Sequence, residues 1–467
     1  MVTMHDTDLK EGIQEAIKRA SSLKSVLVSE VQKIDLINPL KFFTSGNKMN
    51  LGERFFWKDT ESQTYLVGIG ICKKIQSDQG TDRFFHVERE RKRLIEQALI
   101  YNEYSVNSVG PIMFGGFSFD PLKKKTELWS KFDDTQFHIP KYLLTIVDGQ
   151  GYLTTNILCT QHDDFQLYEK TMIERQALIH FISQNSTVEN ARIVEKKEIN
   201  PAEWKQAVTN LVQRLNEGTL KKTVLARELR LYFDKDVSIE MVLEHLLGEQ
   251  RDSFIFAFET GGDCFIGASP ERLIKKTGST FLSTCLAGSI GRGKSQAEDE
   301  ELGQALLNDS KNLKEHQYVV EMIRDAMESV CETVEIPNHP KLLTIRDIQH
   351  LYTPVRGISD KNTSILKLVE KLHPTPALGG LPKQEAVKMI REIEELDRGF
   401  YAGPIGWMDY KENGEFAVAI RSALIQGNEA SLFAGCGIVK DSNAESEYLE
   451  TNIKFKPMLS ALGGVNL

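Results

Sequence analysis

Three glycine-containing turns constrain the fold of this chain most strongly. Thr277-Gly278, Asn413-Gly414 and Gly427-Asn428 each lie between apolar runs, which is the usual sequence pattern of a β-hairpin. Residues 224–227 and 254–258 have the composition of strands. Because tight hairpins join antiparallel strands, the sequence predicts antiparallel sheet through most of the C-terminal half.

Helical periodicity separates these strands. It predicts helices over roughly residues 297–332, 363–372 and 383–397, and another within 87–104 in the N-terminal half. The order of the elements does not follow the regular alternation of βαβ units, and the sequence contains no repeat of fixed period. We therefore expect the α+β class, with antiparallel β-sheets and helices packed on the outside.

Composition excludes several functional classes. The 467 residues suffice for one large domain or two ordinary ones, and 57 basic against 66 acidic residues give a net charge of -9, which disfavours a dedicated nucleic-acid binder. The six cysteines are scattered and form no close pair, as is typical of a reducing compartment. The sequence has neither a signal-peptide pattern nor an apolar run of the ~20 residues that span a bilayer, so we expect a cytoplasmic protein.

The C-terminal segment carries the first candidate site. Residues 433–439 are predicted to form a strand, which a turn joins to the last helix. Ser442 and Glu445 have the spacing of a capping box at the start of that helix. Helix N–H groups and the bare backbone of Gly435 and Gly437 could then face an anion together.

Acidic side chains on two helices are candidate metal ligands. Glu447, Glu450 and Lys454 lie at i, i+3 and i+7 on one face of the last helix. This pattern fits a metal site, but also the commoner solvated face with a Glu-Lys pair. Glu315 belongs to the apolar face of the 297–332 helix, where it needs a salt-bridge partner or a hard cation such as Mg²⁺. Considered together, the two helices favour the metal site.

Four other residues are candidates for acid–base chemistry or substrate binding. Glu271 follows a strand at the tip of a turn, where partial burial would raise its pKa into the range of a general acid. Lys222 begins a strand and is either a desolvated base or an exposed charge. His350 is either a core residue or a substrate donor. Arg421, expected on a strand, suits a carboxylate or a surface ion pair.

Taken jointly, these stretches resemble the chorismate-utilising enzymes, which share one large fold and act on a diacid ring with Mg²⁺. The resemblance covers about residues 195–460. Its motifs occur here in the order of that family: Lys222-Thr-Val-Leu-Ala-Arg227, Gly267-Ala-Ser-Pro-Glu271, Leu286-Ala-Gly-Ser289, Glu315-His316, His350-Leu351, His373-Pro-Thr-Pro-Ala377, Ala419-Ile-Arg421, Gly435-x-Gly437 and Glu447-x-x-Glu450-x-x-x-Lys454. The implied fold has antiparallel sheets packed face to face with helices outside.

Within the family the likeness is greatest to the isochorismate synthases, which are isomerases. It implies that Lys222 activates a water for attack at ring carbon 2 and that Glu271 protonates the departing 4-hydroxyl. The ligands of Mg²⁺ would be Glu315 and Glu450, with Glu447 bound directly or through a water. The residues implied to bind the substrate are Gly288, Ser289, His350, Ala377 and Leu378 around the ring, Lys454 at the ring carboxylate, and Tyr401, Arg421 and Gly435 at the enolpyruvyl carboxylate.

Several features distinguish the relatives. Anthranilate synthases carry glutamine in place of Lys222, so the lysine implies water rather than ammonia as the nucleophile. Salicylate synthases tend to have threonine in place of Ala377, and aminodeoxychorismate synthases carry a lysine in the loop that residues 373–377 match here. The N-terminal stretches 54–57 and 115–117 resemble the menaquinone-pathway enzymes.

The resemblance also sets expectations for the whole protein. Residues 1–195 would be the N-terminal part of the fold and mostly scaffold, and residues 196–467 the chorismate-binding catalytic region. We expect chorismate as substrate, no nucleic-acid, membrane or glutamine amidotransferase partner, and a monomer or weak dimer. Alternatives are a salicylate synthase or a siderophore-pathway isochorismate synthase; retention of every titratable position disfavours a non-catalytic relative. Pro457 is expected to kink or end the last helix just after Lys454.

Overall fold

The computed structural model describes residues 7–49, 52–77, 80, 82–182, 190–218, 220–344 and 348–464. The helices are α1 (Thr7–Leu23), α2 (Pro39–Lys48), α3 (Arg83–Glu96), α4 (Gln166–Ile182), α5 (Pro201–Glu217), α6 (Ile239–Glu249), α7 (Gln296–Asn308), α8 (Ser310–Glu328), α9 (Ile365–Leu372), α10 (Lys383–Ile393) and α11 (Ala444–Ala461). The strands are β1 (Ser25–Ile34), β2 (Arg54–Lys58), β3 (Thr64–Ser77), β4 (Leu99–Tyr101), β5 (Ile112–Phe117), β6 (Thr135–Val147), β7 (Gln150–Thr160), β8 (Ile193–Glu198), β9 (Lys222–Phe233), β10 (Phe254–Thr260), β11 (Asp263–Ser269), β12 (Arg272–Thr277), β13 (Thr280–Gly291), β14 (Thr333–Glu335), β15 (Lys341–Thr344), β16 (Ile348–Ile358), β17 (Gly380–Leu381), β18 (Pro404–Asp409), β19 (Gly414–Val418), β20 (Ser422–Gln426) and β21 (Glu429–Ile438).

Two sheets share strand β6. The first has the order β4-β1-β7-β6-β3-β2-β10-β11-β20-β21-β9, and β8 and β17 pair with different parts of β9. The second runs from β6 through β5-β18-β19-β12-β13-β16, and β14 and β15 pair with β16. The recorded pairs are antiparallel except β1 with β4. The predicted α+β class with antiparallel sheets is confirmed.

The sheets pack face to face because their strands alternate large apolar side chains. In β2, Phe55 and Trp57 belong to one buried cluster and Phe56 to another, as the two-residue period of a strand requires. Across the first cluster, Phe114 of β5 contacts Phe55 of β2 at a ring distance of 4.6 Å and Phe258 of β10 at 5.7 Å. The main aromatic core therefore lies between the two sheets.

Helices cover the outer faces of both sheets, as predicted. The second cluster joins α2, α6 and α11 to the outward residues of β10, β11 and β20. On the other side, α8 and α9 pack on β13 and β12. Within the described ranges, no helix is long and apolar enough to cross a bilayer.

The N-terminal and C-terminal parts of the chain share both sheets. β2 pairs with β10 in the first sheet, and β5 pairs with β18 in the second. The buried guanidinium of Arg54 adds a polar link, because it donates to Glu259 at 2.5 Å and to Glu240 at 2.7 Å. The strands that carry the candidate site are therefore held by neighbours from the first part of the chain.

Several predicted helix limits were wrong. The 297–332 segment forms two helices, because the Asp309 side chain accepts from the Asn312 N–H and starts α8 afresh. The helix predicted over 383–397 ends at Ile393. The pattern over 87–104 corresponds to α3, which ends at Glu96 and is followed by β4.

The three hairpin predictions are confirmed, with one difference in the turn. Gly278 and Gly427 have φ values of 59° and 61°, as tight turns require. At Asn413-Gly414 the hairpin of β18 and β19 forms, but the residue with positive φ is Glu412, at 70°. The Asp409 carboxylate holds this turn by accepting from the backbone N–H of Asn413.

Candidate active site

The last helix begins one residue later than the capping-box prediction requires. Asn443 is the N-cap, and its side chain accepts from the N–H groups of Glu445 and Ser446. The Ser442 hydroxyl instead donates to the Glu447 carboxylate at 2.7 Å. The predicted capping box is therefore wrong, and its serine orients one of the predicted metal ligands.

Pro457 lies inside α11, which continues to Ala461. The alternative in which the proline ends the helix just after Lys454 was wrong, whereas a kink at Pro457 stays a prediction. The Lys454 ammonium donates to the carbonyl oxygen of Gly435 at 2.8 Å and lies 2.6 Å from the Glu450 carboxylate. It is thus held between its own helix and β21.

Lys222 and Glu315 form the central ion pair of the site. The lysine begins β9, the glutamate lies in the second turn of α8, and their charged atoms are 2.5 Å apart. Gly437 of β21 makes room for the lysine, because a Cβ at this glycine would lie 2.6 Å from Lys222 Cε. The second glycine of the Gly435-x-Gly437 motif thus leaves space for the side chain of the predicted base.

Glu271 is the predicted acid and lies just after β11. Its backbone N–H donates to the Ser269 hydroxyl at 3.2 Å, and that hydroxyl donates to the carbonyl of Val418 at 2.6 Å. Burial raises the pKa of Glu271 to about 7, against the opposing effect of the Lys222 charge. Near neutral pH this side chain can therefore donate a proton.

A bulge in β13 forms one predicted wall of the ring site. The register between β13 and β16 shifts between Leu286 and Ser289, and Gly288 has a φ of 82°. The Ser289 hydroxyl lies 2.7 Å from Nδ1 of His350 on β16. Burial lowers the pKa of His350 to about 4, with a smaller contribution from the Arg421 charge, so the imidazole is neutral at pH 7.

His316 supports this bulge, a role that the sequence did not predict. Its Nδ1 lies 2.9 Å from the carbonyl oxygen of Ala287 and its Nε2 lies 2.7 Å from the Thr353 hydroxyl. Burial lowers the pKa of His316. The neutral ring therefore donates from Nδ1 to Ala287 and accepts from Thr353. Its place beside Glu315 on a buried helix face was the available signal.

Tyr401 and Gly435 are close together, as the resemblance implies for the enolpyruvyl end. A Cβ at Gly435 would lie 3.3 Å from the Tyr401 hydroxyl. Burial raises the pKa of Tyr401 well above its ordinary value, so the phenol keeps its proton and can donate. The carbonyl of Gly435 is already bonded to Lys454.

Arg421 is not on a strand, contrary to the prediction. It lies in the connection between β19 and β20 with a φ of 52°. Burial lowers the pKa of Arg421, and the Glu450 carboxylate acts in the opposite direction. Arg421 therefore belongs to a left-handed turn between two strands rather than to a strand.

Ala377 and Leu378 lie in a loop beside Lys222. The Leu378 N–H donates to the carbonyl of Thr375 at 3.0 Å, which closes a tight turn. Directly after the loop, Leu381 of β17 is the register partner of Lys222 on β9. The loop that carries the two predicted ring contacts is thus joined to the strand that carries the predicted base.

Known proteins resemble this chain over almost its whole length. The model of the chorismate binding enzyme family matches residues 12–463. The chain belongs to the chorismate binding enzymes. The isochorismate synthase MenF of Bacillus subtilis is 44% identical over 99% of this chain and 99% of its own length. The salicylate biosynthesis isochorismate synthase of Pseudomonas aeruginosa is 34% identical over 98% of this chain and 95% of its own.

A solved structure shows the same fold. The menaquinone-specific isochorismate synthase MenF of Escherichia coli superimposes with a TM-score of 0.79 over 97% of this chain and 100% of its own, at 22% identity. This match shows that the two proteins share a fold.

The predicted metal ligands suit Mg²⁺ in chemistry but are not gathered in this structure. All three are carboxylates, the oxygen donors that Mg²⁺ prefers. In the part of the chain that the structure describes, no three acidic, histidine or cysteine side chains form a group that could hold a metal. Instead Glu315 and Glu450 each hold a lysine ammonium, at 2.5 Å and 2.6 Å. Both positions therefore already attract a cation.

A cavity of about 910 Å³ lies apart from these residues. No predicted site residue lines it; Trp204, Arg227 and Asp397 are among the residues that do. The acid–base pair is therefore in a different part of the surface from this large opening.

Proposed function

We propose that this chorismate binding enzyme is an isochorismate synthase, which isomerises chorismate by water attack at carbon 2 with loss of the 4-hydroxyl. The observation that carries the proposal is that Glu271 is buried close enough to Lys222 for the two side chains to interact. Burial raises the pKa of Glu271 to about 7, and the Lys222 charge acts in the opposite direction. An allylic displacement with a poor leaving group requires a base for the water and an acid for the departing hydroxyl.

The two residues divide the proton transfers. Lys222 acts as the base. After loss of a proton from the ammonium that pairs with Glu315, its amine accepts a proton from the attacking water while the oxygen of that water bonds to carbon 2. The ring double bonds shift, the bond between carbon 4 and its oxygen breaks, and protonated Glu271 donates to that oxygen. One water enters and one leaves, so substrate and product are isomers.

The two carboxylates of the substrate are bound at separate places. Arg421, Tyr401 and the Gly435 backbone take the enolpyruvyl carboxylate, and Lys454 contacts the ring carboxylate. Gly288, Ser289, His350, Ala377 and Leu378 line the ring. The 2.7 Å contact of Ser289 with a neutral His350 and the closeness of Tyr401 to Gly435 support these assignments.

Glu315, Glu447 and Glu450 are the residues that would hold Mg²⁺. The ion would neutralise the ring carboxylate of the substrate and help to fix its orientation. Binding requires Glu315 and Glu450 to exchange an ammonium for the metal. Their partial exposure, 41% and 50% of each side chain, leaves them room to turn.

Several broader assignments accompany this function. Residues 196–467 carry the chemistry and residues 1–195 serve mostly as scaffold. Similarity over the full length to the isochorismate synthase MenF of Bacillus subtilis supports a role in menaquinone synthesis, whereas the isochorismate synthase EntC of Escherichia coli matches 62% of this chain. We infer no amidotransferase partner, a monomer or weak dimer, and a cytoplasmic location.

Product analysis tests the proposal. Purified protein incubated with chorismate and Mg²⁺ is expected to give isochorismate without pyruvate. Release of pyruvate together with salicylate would instead establish a salicylate synthase. Intact chorismate binding without turnover would overturn both.

A further inference from the structure

A buried arginine–glutamate pair outside the predicted site joins strand β9, which carries Lys222, to the loop that carries Ala377 and Leu378. Arg398 binds Glu394 through two parallel hydrogen bonds of 2.6 Å and 2.7 Å, and each side chain is only 3% exposed. The guanidinium also lies over the Phe119 ring, 4.2 Å from its centre. Such a fork is planar and rigid, so the atoms it contacts are held in fixed positions.

The pair contacts an edge of β9 that lies between two short partner strands. β17 pairs with β9 at Lys222 and Thr223, and β8 pairs with it from Leu229 onward. Between these two ladders, Glu394 accepts from the Ala226 N–H at 2.7 Å and Arg398 donates to the Val224 carbonyl at 2.8 Å. The two side chains thus bond to strand groups that would otherwise be buried without partners.

A third hydrogen bond of the Arg398–Glu394 pair is made to the loop that carries Ala377 and Leu378. Arg398 Nη1 donates to the carbonyl of Leu378 at 3.1 Å, while its Nη2 bonds to Val224, two residues after Lys222. A single guanidinium therefore sets the distance between a predicted ring contact and the strand of the predicted base. A lysine at this position could not make both bonds in one plane.

We propose that Arg398 is a positioning residue, which, with Glu394, fixes the loop of Ala377 and Leu378 against the strand of Lys222. The inference rests on the proposed function, because it concerns the orientation of the chorismate ring toward the base. It assigns no contact with substrate to Arg398. Misplacement of a reacting group by about 1 Å can cost on the order of 10²-fold in rate.

The test compares two buried arginines. Arg175 pairs with Glu30 at 2.9 Å, and both side chains are as buried as those of Arg398 and Glu394, but they join α4 to β1. Arg398→Lys and Arg175→Lys should lower the melting temperature similarly. At a temperature where both variants are folded, Arg398→Lys is expected to lower kcat at least about tenfold. KM should change little, because the residues proposed to bind the two substrate carboxylates are unchanged. Arg175→Lys should retain wild-type kcat.

Equal kcat values in the two variants would overturn the inference. If Arg398→Lys does not fold, the double variant Arg398→Met, Glu394→Gln serves instead, because it leaves no unpaired buried charge. It should show the same selective loss of kcat, and wild-type kcat in it would also contradict the role. Wild-type protein that makes no isochorismate would reject the proposed function, whereas active wild type with an unaffected Arg398 variant rejects only this inference.

Discussion

The site contains two lysine–glutamate pairs of similar length but different construction. Lys454 and Glu450 are one helical turn apart on α11, with side chains 28% and 50% exposed. Lys222 and Glu315 come from a strand and a distant helix, and are 17% and 41% exposed. The first pair needs only a helix in order to form, whereas the second requires the complete fold.

This difference separates local stability from function. An exposed i,i+4 pair typically stabilises a helix by about 0.3–0.5 kcal/mol, so Lys454 and Glu450 are free to exchange partners when substrate and metal bind. Lys222 is positioned by Gly437 beneath it and by Glu315 beside it, and Glu271 lies within its electrostatic reach. Disruption of the tertiary pair should therefore affect the chemistry more than disruption of the helical pair.

The largest expected effect comes from removal of the base. Lys222→Ala should lower kcat by about 10³-fold or more, since a positioned base typically contributes ~10²–10⁴. Its melting temperature should change little because Glu315 is partly exposed. The neighbouring Lys221→Ala, which removes an ammonium lying over Tyr318 at 5.4 Å, is the matched control. Similar kcat values for the two variants would remove Lys222 from the role of base.

Disruption of the Lys454–Glu450 pair should change the dependence of activity on Mg²⁺. Glu450→Ala is expected to raise the Mg²⁺ concentration for half-maximal activity at least about tenfold, because the loss of one carboxylate ligand weakens the binding of the ion. The control is Glu445→Ala, which removes an exposed carboxylate of the same helix, paired with Lys205 of α5. Direct titration with Mn²⁺ as a probe gives a reading independent of turnover. An unchanged metal affinity in Glu450→Ala would count against Glu450 as a ligand.

A smaller effect on stability should follow from the raised pKa of Glu271. Its folded pKa of about 7 exceeds the ordinary value of 4.5, so the folded state binds the proton more tightly than the unfolded state. The resulting stabilisation is complete below pH 4.5 and is lost as the pH rises through 7. Relative to Glu271→Gln, wild type should therefore lose about 2 kcal/mol of unfolding free energy between pH 5 and pH 8.

Chemical denaturation at the two pH values measures this difference. The exposed Glu445→Gln serves as control and should show the same relative stability at both. A Glu271→Gln variant whose stability relative to wild type does not change with pH would contradict the burial that raises this pKa.

Features set by neighbouring residues could be predicted from the sequence. The glycine turns at Gly278 and Gly427 and the stacking of Glu450 under Lys454 depend on backbone geometry over a few residues. The raised pKa of Glu271 followed from its place at a strand end. The resemblance of ordered motifs identified the family, which the match over residues 12–463 confirms.

Features that depend on tertiary contacts could not be predicted from periodicity. The break at Asp309 arises from one side chain capping a new helix, and the left-handed backbone of Arg421 arises in a three-residue connection. The contacts of Arg398 with Leu378 and Val224 cross long stretches of sequence, so no spacing indicates them. These long-range contacts determine which of the predicted side chains can act together.

Isotope labelling can show whether Lys222 directs a solvent water to carbon 2 while Glu271 protonates the departing 4-hydroxyl. Chorismate would be converted in ¹⁸O-labelled water with Mg²⁺, and the product examined by mass spectrometry after one turnover. We expect isochorismate with one ¹⁸O atom, at the hydroxyl of carbon 2. Isochorismate without label would show that the hydroxyl moves within the substrate, which would contradict the roles given to both residues.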